Sequence, residues 1–282
     1  RIPLHTLPLE LLQTITTSLS TPDAASFSLT SRYLLYATGI HHLKTYLLKP
    51  GTKKHEYRKK VAMLERAFPS SWYCAWCDRF HGYEKGGGPR EFGKEEKRKC
   101  VVANGYLADG EDYRLCFHHV RLTILRDVMG GDAGIGLEEL AYVREGRVRL
   151  GRSSENVKVT VDARIVSGRL LLYSTCTISL RRAEKALKWG RLKKIMALVP
   201  QIVGGHRNDK KGHSNLNVWV GKVLKHGWKI PLQRCLCCPT EYHVGCERVS
   251  SAHEEHVVLE IKTWRDLGDG KNPFESAWRA HG

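Results

Sequence analysis

The chain has 282 residues, of which 41% are hydrophobic, and this composition excludes a largely disordered protein and predicts about two globular domains. Its formal net charge of +17 is typical of proteins that bind nucleic acid or acidic partners, although the basic residues are dispersed rather than arranged in one stripe. No apolar run is long enough to cross a bilayer and no signal peptide is visible, so we expect no membrane contact.

Residues 4–40 predict three short helices that carry more apolar surface than they can bury by themselves. Pro8 suits a first helical turn, where its missing N–H costs nothing. Apolar side chains then recur at helical spacing at Leu11, Leu12, Ile15 and Leu19. Because such helices form only a small core, we expect this face to contact another polypeptide. The alternative is a helical hairpin packed against the rest of the chain.

The second and third of these helices are indicated by capping residues. Thr21 is a plausible cap for the second, with Pro22 at its first helical position. Thr30 or Ser31 caps the third, which we expect to end at Gly39.

This segment resembles an F-box, the module through which substrate receptors dock onto the Skp adaptor of cullin–RING ubiquitin ligases. The resemblance is carried by Leu7-Pro8, Glu10-Leu11-Leu12, Ile15, Leu19, Asp23 and Ser31-Arg32. The chain departs from the family at Ala24, where Leu is frequent, and near Tyr33, where Trp is frequent. The resemblance implies that Skp contacts Leu7, Pro8, Leu11, Leu12, Ile15 and Leu19. Each buried Leu or Ile would contribute about 1.5–3 kcal/mol.

Two more helices are predicted, over residues 42–48 and 55–68, and Lys49-Pro50-Gly51 separates them. We therefore predict three segments: an F-box over residues 1–50, a connecting helix over 51–70, and a Cys-rich α+β domain over 71–282 that binds a target.

The nine cysteines favour metal ligation over a disulfide framework, because several lie in Cys-x-x-Cys spacing with histidines nearby and no secretory segment is visible. This usage predicts a reducing compartment, cytoplasmic or nuclear.

Cys74 and Cys77 have the spacing that places two thiolates on one structural Zn²⁺. We predict that Cys100 and His118 complete the site, with Cys116, His119 and His81 as alternates. The alternative is a buried pair of cysteines beside an aromatic core. Catalytic zinc is not expected, because no His-Glu-x-x-His or His-x-Glu motif accompanies these residues.

Cys235 and Cys238 form a second, weaker candidate metal site with the same spacing. Its candidate further ligands are Cys246, His243, His206 and Cys176, and none of them is well placed by sequence alone. The alternative is a knuckle-shaped turn without a metal.

The remaining elements predict an α+β fold with a mainly antiparallel sheet. Helices are expected over residues 117–129 and 136–142, and a basic helix over 181–198. Strands are expected over residues 157–165, 170–180, 217–224, 229–235 and 257–264, the first two joined as a hairpin by Ser167-Gly168. Trp264 and Trp278 are expected to be core anchors.

The whole layout resembles fungal F-box proteins with a Cys-rich, β-rich C-terminal region. The matching elements are the Tyr-Cys-x-x-Cys segment at 73–77, the Cys/His pair before a helix at 116–120, the Cys-x-x-Cys-Pro-Thr-Glu-Tyr turn at 235–242 and the Trp-Arg-Asp-Leu-Gly segment at 264–268. The chain departs at 202–206, where the family has a Cys-Pro-His segment. The resemblance implies a substrate receptor, without naming its substrate.

Catalysis is not expected, because the chain has no Gly-x-Ser-x-Gly motif, phosphate loop or dinucleotide fingerprint. A thiol enzyme using Cys74 or Cys238 with a nearby His is the remaining catalytic alternative. We therefore expect a non-catalytic receptor subunit that docks on Skp, and through it on cullin, and recruits a protein target for ubiquitin-dependent degradation. The competing class is a basic, zinc-containing nucleic-acid-binding protein with a helical dimerisation element at its N-terminus.

Overall fold

The structure, a computed structural model, describes residues 3–48, 54–68, 71–74, 77, 79–83, 87–90, 100, 106–130, 134–150, 153–181, 189–205, 216–227, 229–250 and 255–281. The chain divides into two compact units, Arg1–Tyr73 and Cys74–Gly282. Helices and antiparallel sheets are both present, so the predicted α+β class is confirmed. Among the helices described, none is long and apolar enough to cross a bilayer.

The first unit is helical. After a 3₁₀ turn at Leu4–Thr6, its helices are α1 (Leu9–Ser18), α2 (Thr21–Leu29), α3 (Arg32–Thr38), α4 (His41–Leu48) and α5 (Lys54–Ala67). Ser20, rather than Thr21, caps α2, because its hydroxyl accepts the backbone N–H of Asp23 at 3.4 Å. Ser31 caps α3 as expected, and that helix ends at Gly39, whose φ is +76°.

The helices α1, α2 and α3 bury apolar side chains of small and medium size. Leu12, Ala24, Ala25 and Leu34 are buried there. Thr16 is buried beside them, and its hydroxyl is satisfied because it donates to the carbonyl of Leu12 at 2.7 Å. Small side chains let short helices pack closely, but they bury little apolar area.

The second unit is organised around one six-stranded antiparallel sheet. Its strands are β5 (Tyr142–Leu150), β6 (Ser153–Val166), β7 (Arg169–Arg181), β8 (Ile230–Arg234), β9 (Thr240–Ser250) and β10 (Glu255–Asp266), in the spatial order β5-β6-β7-β10-β9-β8. The predicted hairpin between β6 and β7 is confirmed, and Ser167 and Gly168 form its turn with φ of +51° and +71°. Two short pairs accompany this sheet: β1 (Ser71–Cys74) with β2 (Arg79–Gly82), and β3 (Tyr106–Asp109) with β4 (Tyr113–Cys116).

One face of the large sheet is the core of the second unit. A buried row crosses four strands through Val159, Cys176, Ile261 and Val244, as their pairing register shows. Helices cover this region: they are α6 (Phe117–Met129), α7 (Leu137–Leu140), α8 (Trp189–Met196), α9 (Gln201–Gly204), α10 (Leu216–His226) and α11 (Ser276–Arg279). In particular, α6 contacts β7, α9 contacts β7 and β10, and α10 contacts β9.

Some predicted elements are wrong. The strand expected over residues 217–224 is helix α10, since Leu216, Val220 and Val223 are buried at helical spacing. The predicted basic helix over residues 181–198 is described in part: Arg181 ends β7, α8 begins at Trp189, and residues 182–188 lie outside the described residues.

The two tryptophans expected in the core differ. Trp278 is buried, as predicted, and its ring packs edge-on against Phe117 with the centroids 5.7 Å apart. Trp264 is 39% exposed instead, and its ring lies 5.3 Å from that of Tyr173 on the outer face of the sheet. Trp264 faces outward because strand alternation gives the inner face to its neighbours Thr263 and Arg265.

Candidate metal centre

A short hairpin brings three candidate ligands together. Cys74 is the last residue of β1, His81 lies on its partner strand β2, and Cys77 lies in the connection between them. The alternation along β1 buries Cys74 on the same side as Trp72. Strand pairing therefore brings a histidine back towards the Cys-x-x-Cys segment from only a few residues downstream.

Cys100 joins these residues in a four-ligand cluster of Cys74, Cys77, His81 and Cys100. The candidate ligand atoms all lie within 4.8 Å of one another. The Cys100 Sγ is 3.7 Å from the His81 Nε2. A tetrahedral zinc ion with standard bond lengths holds a sulfur and a nitrogen about 3.6 Å apart. Three thiolates and one imidazole are a usual donor set of structural zinc sites, so this cluster can hold a metal ion.

The electrostatics of the cluster favour a bound cation. Burial, together with the neighbouring Cys77 and Cys74, raises the pKa of the Cys100 thiol to about 12. Negative thiolates this close repel one another, and a divalent cation among them removes that cost. Metal binding must therefore release protons from the thiols, and the affinity for metal falls as the pH falls.

The structure differs from the predicted ligand set at its fourth position. Cys74, Cys77 and Cys100 come together as expected, but the histidine beside them is the alternate His81 and not His118. The sequence offered His81 as an alternate because it lies close behind the Cys-x-x-Cys segment.

Cys116, His118 and His119 serve the start of α6 instead of the cluster. Cys116 is the N-cap residue, and its backbone N–H donates to the His119 Nδ1 at 3.0 Å. The His118 ring packs against that of His119 with the centroids 4.1 Å apart. The His119 side chain therefore satisfies the N–H group of Cys116 at the start of this helix.

The predicted second metal site is not assembled among the described residues. The Cys235 and Cys238 thiols are hydrogen-bonded to each other, but no third ligand joins them in the described part of the chain. Cys176 lies in the buried row of the sheet, the Cys246 thiol donates to the carbonyl of Val223 at 3.3 Å, and His206 lies outside the described residues. The buried guanidinium of Arg265 acts on both thiols, and its positive charge opposes a second cation there.

Most of the residues expected to contact Skp are accessible. Leu11, Ile15 and Leu19 are 50%, 36% and 37% exposed, and we name them the α1 ridge. Pro8 is exposed and Leu7 is partly exposed. Leu12 differs from the other residues of this set because it is fully buried in the core of the first unit. Its side chain is therefore not available for contact with a partner.

Two exposed leucines near the α1 ridge were missed by the sequence reasoning. Leu4 is 47% exposed and Leu9 is 46% exposed. Both lie in the same apolar run that carries Leu7 and Pro8, and this run was the available signal.

Comparisons of the chain with protein-family models, with curated proteins and with solved structures return no match. The features that carry a functional argument are therefore the exposed α1 ridge of the first unit and the four-ligand cluster of the second.

Proposed function

We propose that this protein is a substrate-receptor subunit of a Skp–cullin–F-box ubiquitin ligase, in which residues 4–40 dock on Skp and the second unit binds the target. The observation that carries this proposal is the α1 ridge. Leu11 and Ile15 are four residues apart in α1, so they lie on one side of that helix, and Leu19 follows directly after the helix ends.

The α1 ridge has the properties of a surface that another protein covers. Large apolar side chains that are exposed singly need no explanation, but a continuous line of them marks an interaction site. Among the leucines of α1 only Leu12 is buried, whereas the side chains of the ridge are exposed. Burial of the ridge against a partner would recover apolar area that the first unit does not bury by itself.

The proposed mechanism is proximity. A receptor that binds Skp through one unit and a target through the other holds lysines of the target near a ubiquitin-charged enzyme. Tethering raises the effective concentration of the reacting groups, so the receptor itself needs no catalytic residue.

In this proposal the ion of the four-ligand cluster is a structural Zn²⁺. The chain's own residues would hold it: Cys74, Cys77 and His81 from the hairpin and Cys100 from a separate part of the sequence. When bound, the ion would cross-link Cys100 to the hairpin and contribute directly to folding.

Introduction of a negative charge on the α1 ridge tests the docking proposal. We expect Leu11→Asp and Ile15→Asp each to weaken Skp binding by about ten- to a hundred-fold, because each removes one buried apolar side chain from the interface. Binding is measured by co-purification and by titration with the purified adaptor, and circular dichroism checks that each variant is folded.

Gln13→Asp is the matched control, because Gln13 is exposed on the opposite side of the same helix and receives the same charge. We expect it to bind Skp like the unmodified protein. Equal weakening by all three substitutions, or no Skp binding by the unmodified protein, would contradict the proposal.

The net charge of +17 supports a second candidate function, a zinc-containing nucleic-acid-binding protein. Its signature is an affinity for DNA or RNA that falls steeply with salt, since counterions are released on binding. Strong, salt-dependent nucleic-acid binding without Skp capture would favour this class over the receptor.

A further inference from the structure

A cleft of about 780 Å³ lies at the end of the large sheet where β8 turns into β9. Leu171, Leu232 and Trp264 give it apolar walls, and the side chains of Cys235, Cys238 and Arg265 also line it. The volume is in the range of small-molecule sites, and such sites commonly combine apolar walls with a few polar groups. Neither the Skp-docking proposal nor the four-ligand cluster uses this cleft.

The turn that carries the two cysteines is held by backbone hydrogen bonds. The Cys235 N–H donates to the carbonyl of Thr240 at 2.8 Å, and the Thr240 N–H donates to the carbonyl of Cys238 at 2.7 Å. All nine cysteines are thiols in the structure, and the Cys238 thiol is hydrogen-bonded to Cys235. The turn therefore places the two thiols of this Cys-x-x-Cys segment next to each other, which is the arrangement that dithiol–disulfide motifs use.

A backbone donor lies at the sulfur of Cys235. The backbone N–H of Cys237 donates to it at 3.4 Å. Tyr242 and Cys238 lie beside Cys235, which contributes to the raised pKa of each of them. Hydrogen bonds donated to a sulfur stabilise its negative form, so this arrangement favours a thiolate at Cys235.

Arg265 adds a positive charge next to the pair. Its side chain is 1% exposed, and the hydrogen bonds of its guanidinium include those to the carbonyls of Ile202, Val203 and Gly205 at 3.0–3.2 Å. Within the described residues no carboxylate pairs with it, and the acidic groups that act on it are Tyr242, Cys238 and Cys235. A buried cation whose acidic neighbours are thiols and a phenol favours the ionisation of one thiol.

The pKa of the second thiol, Cys238, is raised. The hydrogen bond to Cys235 and burial raise the pKa of Cys238, while Thr240 and Arg265 act in the opposite direction. The Thr240 hydroxyl lies 3.0 Å from the Cys238 sulfur and accepts from Arg265 Nη1 at 3.4 Å, so it links the guanidinium to the pair. The two cysteines therefore differ in their surroundings: the sulfur of Cys235 accepts a backbone N–H, and the sulfur of Cys238 lies beside the Thr240 hydroxyl.

We propose that Cys235 and Cys238 form a thiol–disulfide exchange site that takes a low-molecular-weight disulfide in the cleft. The Cys235 thiolate attacks one sulfur of the small disulfide, whose S–S bond breaks as a mixed disulfide forms and one small thiolate leaves. The Cys238 thiol gives up its proton to that leaving thiolate, and its sulfur attacks Cys235. The second small thiolate leaves and takes up the proton that Cys235 lost to solvent on ionising. Two protein thiols are oxidised to one disulfide, and the small disulfide is reduced to two thiols.

The test uses the full chain carrying Cys237→Ser, which removes the exposed thiol beside the pair, and glutathione disulfide as the oxidant. The remaining thiols are alkylated after increasing times of exposure, and peptides are analysed by mass spectrometry. We expect a disulfide between Cys235 and Cys238 that dithiothreitol reduces. With Cys238→Ser added, we expect a stable glutathione adduct on Cys235, and with Cys235→Ser added, we expect no adduct on Cys238.

Cys246 is the internal control for reactivity. It is more exposed than Cys235, but burial raises the pKa of its thiol, which donates to the carbonyl of Val223. We expect Cys235 to react about ten-fold faster than Cys246, although accessibility alone predicts the reverse order. This rate is measured without changing either cysteine, so it remains informative if a serine variant does not fold.

Faster modification of Cys246 than of Cys235 would overturn the proposal. So would equal adduct formation in the two serine variants, since the proposal assigns attack to Cys235. A disulfide that forms only after unfolding in urea would also overturn it. Skp binding plays no part in these outcomes, so they are separate from the proposed receptor function.

Discussion

The purified protein is expected to carry one zinc ion per chain. Removal of that ion should lower the free energy of unfolding by about 10 kcal/mol. The reason is that the four-ligand cluster joins residues far apart in sequence, and an ion that binds only the folded arrangement adds its binding free energy to folding. This loss is comparable to the whole stability of an ordinary domain. Metal content is measured by elemental analysis, and unfolding is followed by circular dichroism before and after treatment with a chelator.

Two histidine variants decide which imidazole belongs to the site. We expect His81→Gln to lose the ion and the stability it confers, because the Nε2 of His81 lies 3.7 Å from the Cys100 sulfur. His118→Gln should keep the ion, because His118 lies in the first turn of α6 outside the cluster. Retention of zinc in the first variant with loss in the second would contradict the assignment.

The same site predicts a pH dependence with a definite sign. Because the pKa of the Cys100 thiol is raised to about 12 in the metal-free cluster, this thiol is protonated at neutral pH and must lose its proton when metal binds. For each proton released, the affinity for zinc should fall about ten-fold per unit decrease in pH. Titration with a zinc indicator between pH 6 and about pH 8 measures this slope, and a flat profile would exclude thiolate ligation.

Elements with a local signal could be predicted from the sequence. Alternating valines and a Ser-Gly turn identify the β6–β7 hairpin, whose turn residues have positive φ. The predicted helix over residues 117–129 is confirmed with the same bounds, and it ends at Gly130, whose φ is +68°. These signals depend on residues close in sequence, so no knowledge of distant pairing was needed.

The fourth metal ligand could not be chosen from spacing. His81 and His118 both follow the Cys-x-x-Cys segment, and the spacing of structural zinc ligands allows long intervals. Two structural features decide between them: β1 pairs with β2, which brings His81 back to the cysteines, and His118 lies at the start of α6, where His119 accepts the N–H of Cys116. The number of residues between the ligands indicates neither of these features.

Other errors arise where tertiary context overrides a local pattern. Strand β5 was not predicted, because its charged residues alternate with few apolar ones and pairing with β6 is what defines it. Leu12 was assigned to a partner contact because it has the same chemistry as Leu11, and only the packing of α1 shows which of the two is buried. Trp264 was assigned to the core for its hydrophobicity, whereas Arg265 occupies the buried position.

Substitution of Arg265 is expected to have the second large effect on stability. We expect Arg265→Lys to lower the free energy of unfolding by about 3–5 kcal/mol, in the range measured when a buried charged network is broken. The guanidinium donates through Nε to the carbonyl of Ile202 and through Nη2 to those of Val203 and Gly205, around the end of α9. A lysine keeps the charge but cannot supply this planar set of donors, so buried carbonyls lose their partners.

Urea denaturation of the zinc-loaded protein measures this effect, and Arg234→Lys is the matched control. Arg234 has the same chemistry and pairs with Glu241 at 2.9 Å, but its side chain is 85% exposed, so we expect a change of about 0.5 kcal/mol or less. Similar changes in the two variants would mean that the buried guanidinium of Arg265 contributes no more to stability than a surface ion pair does. An Arg265→Met variant with an unchanged free energy of unfolding would contradict the prediction more strongly. It would show that the carbonyls around α9 do not depend on the guanidinium. The large loss is expected because water cannot reach these buried carbonyls to replace the missing donors.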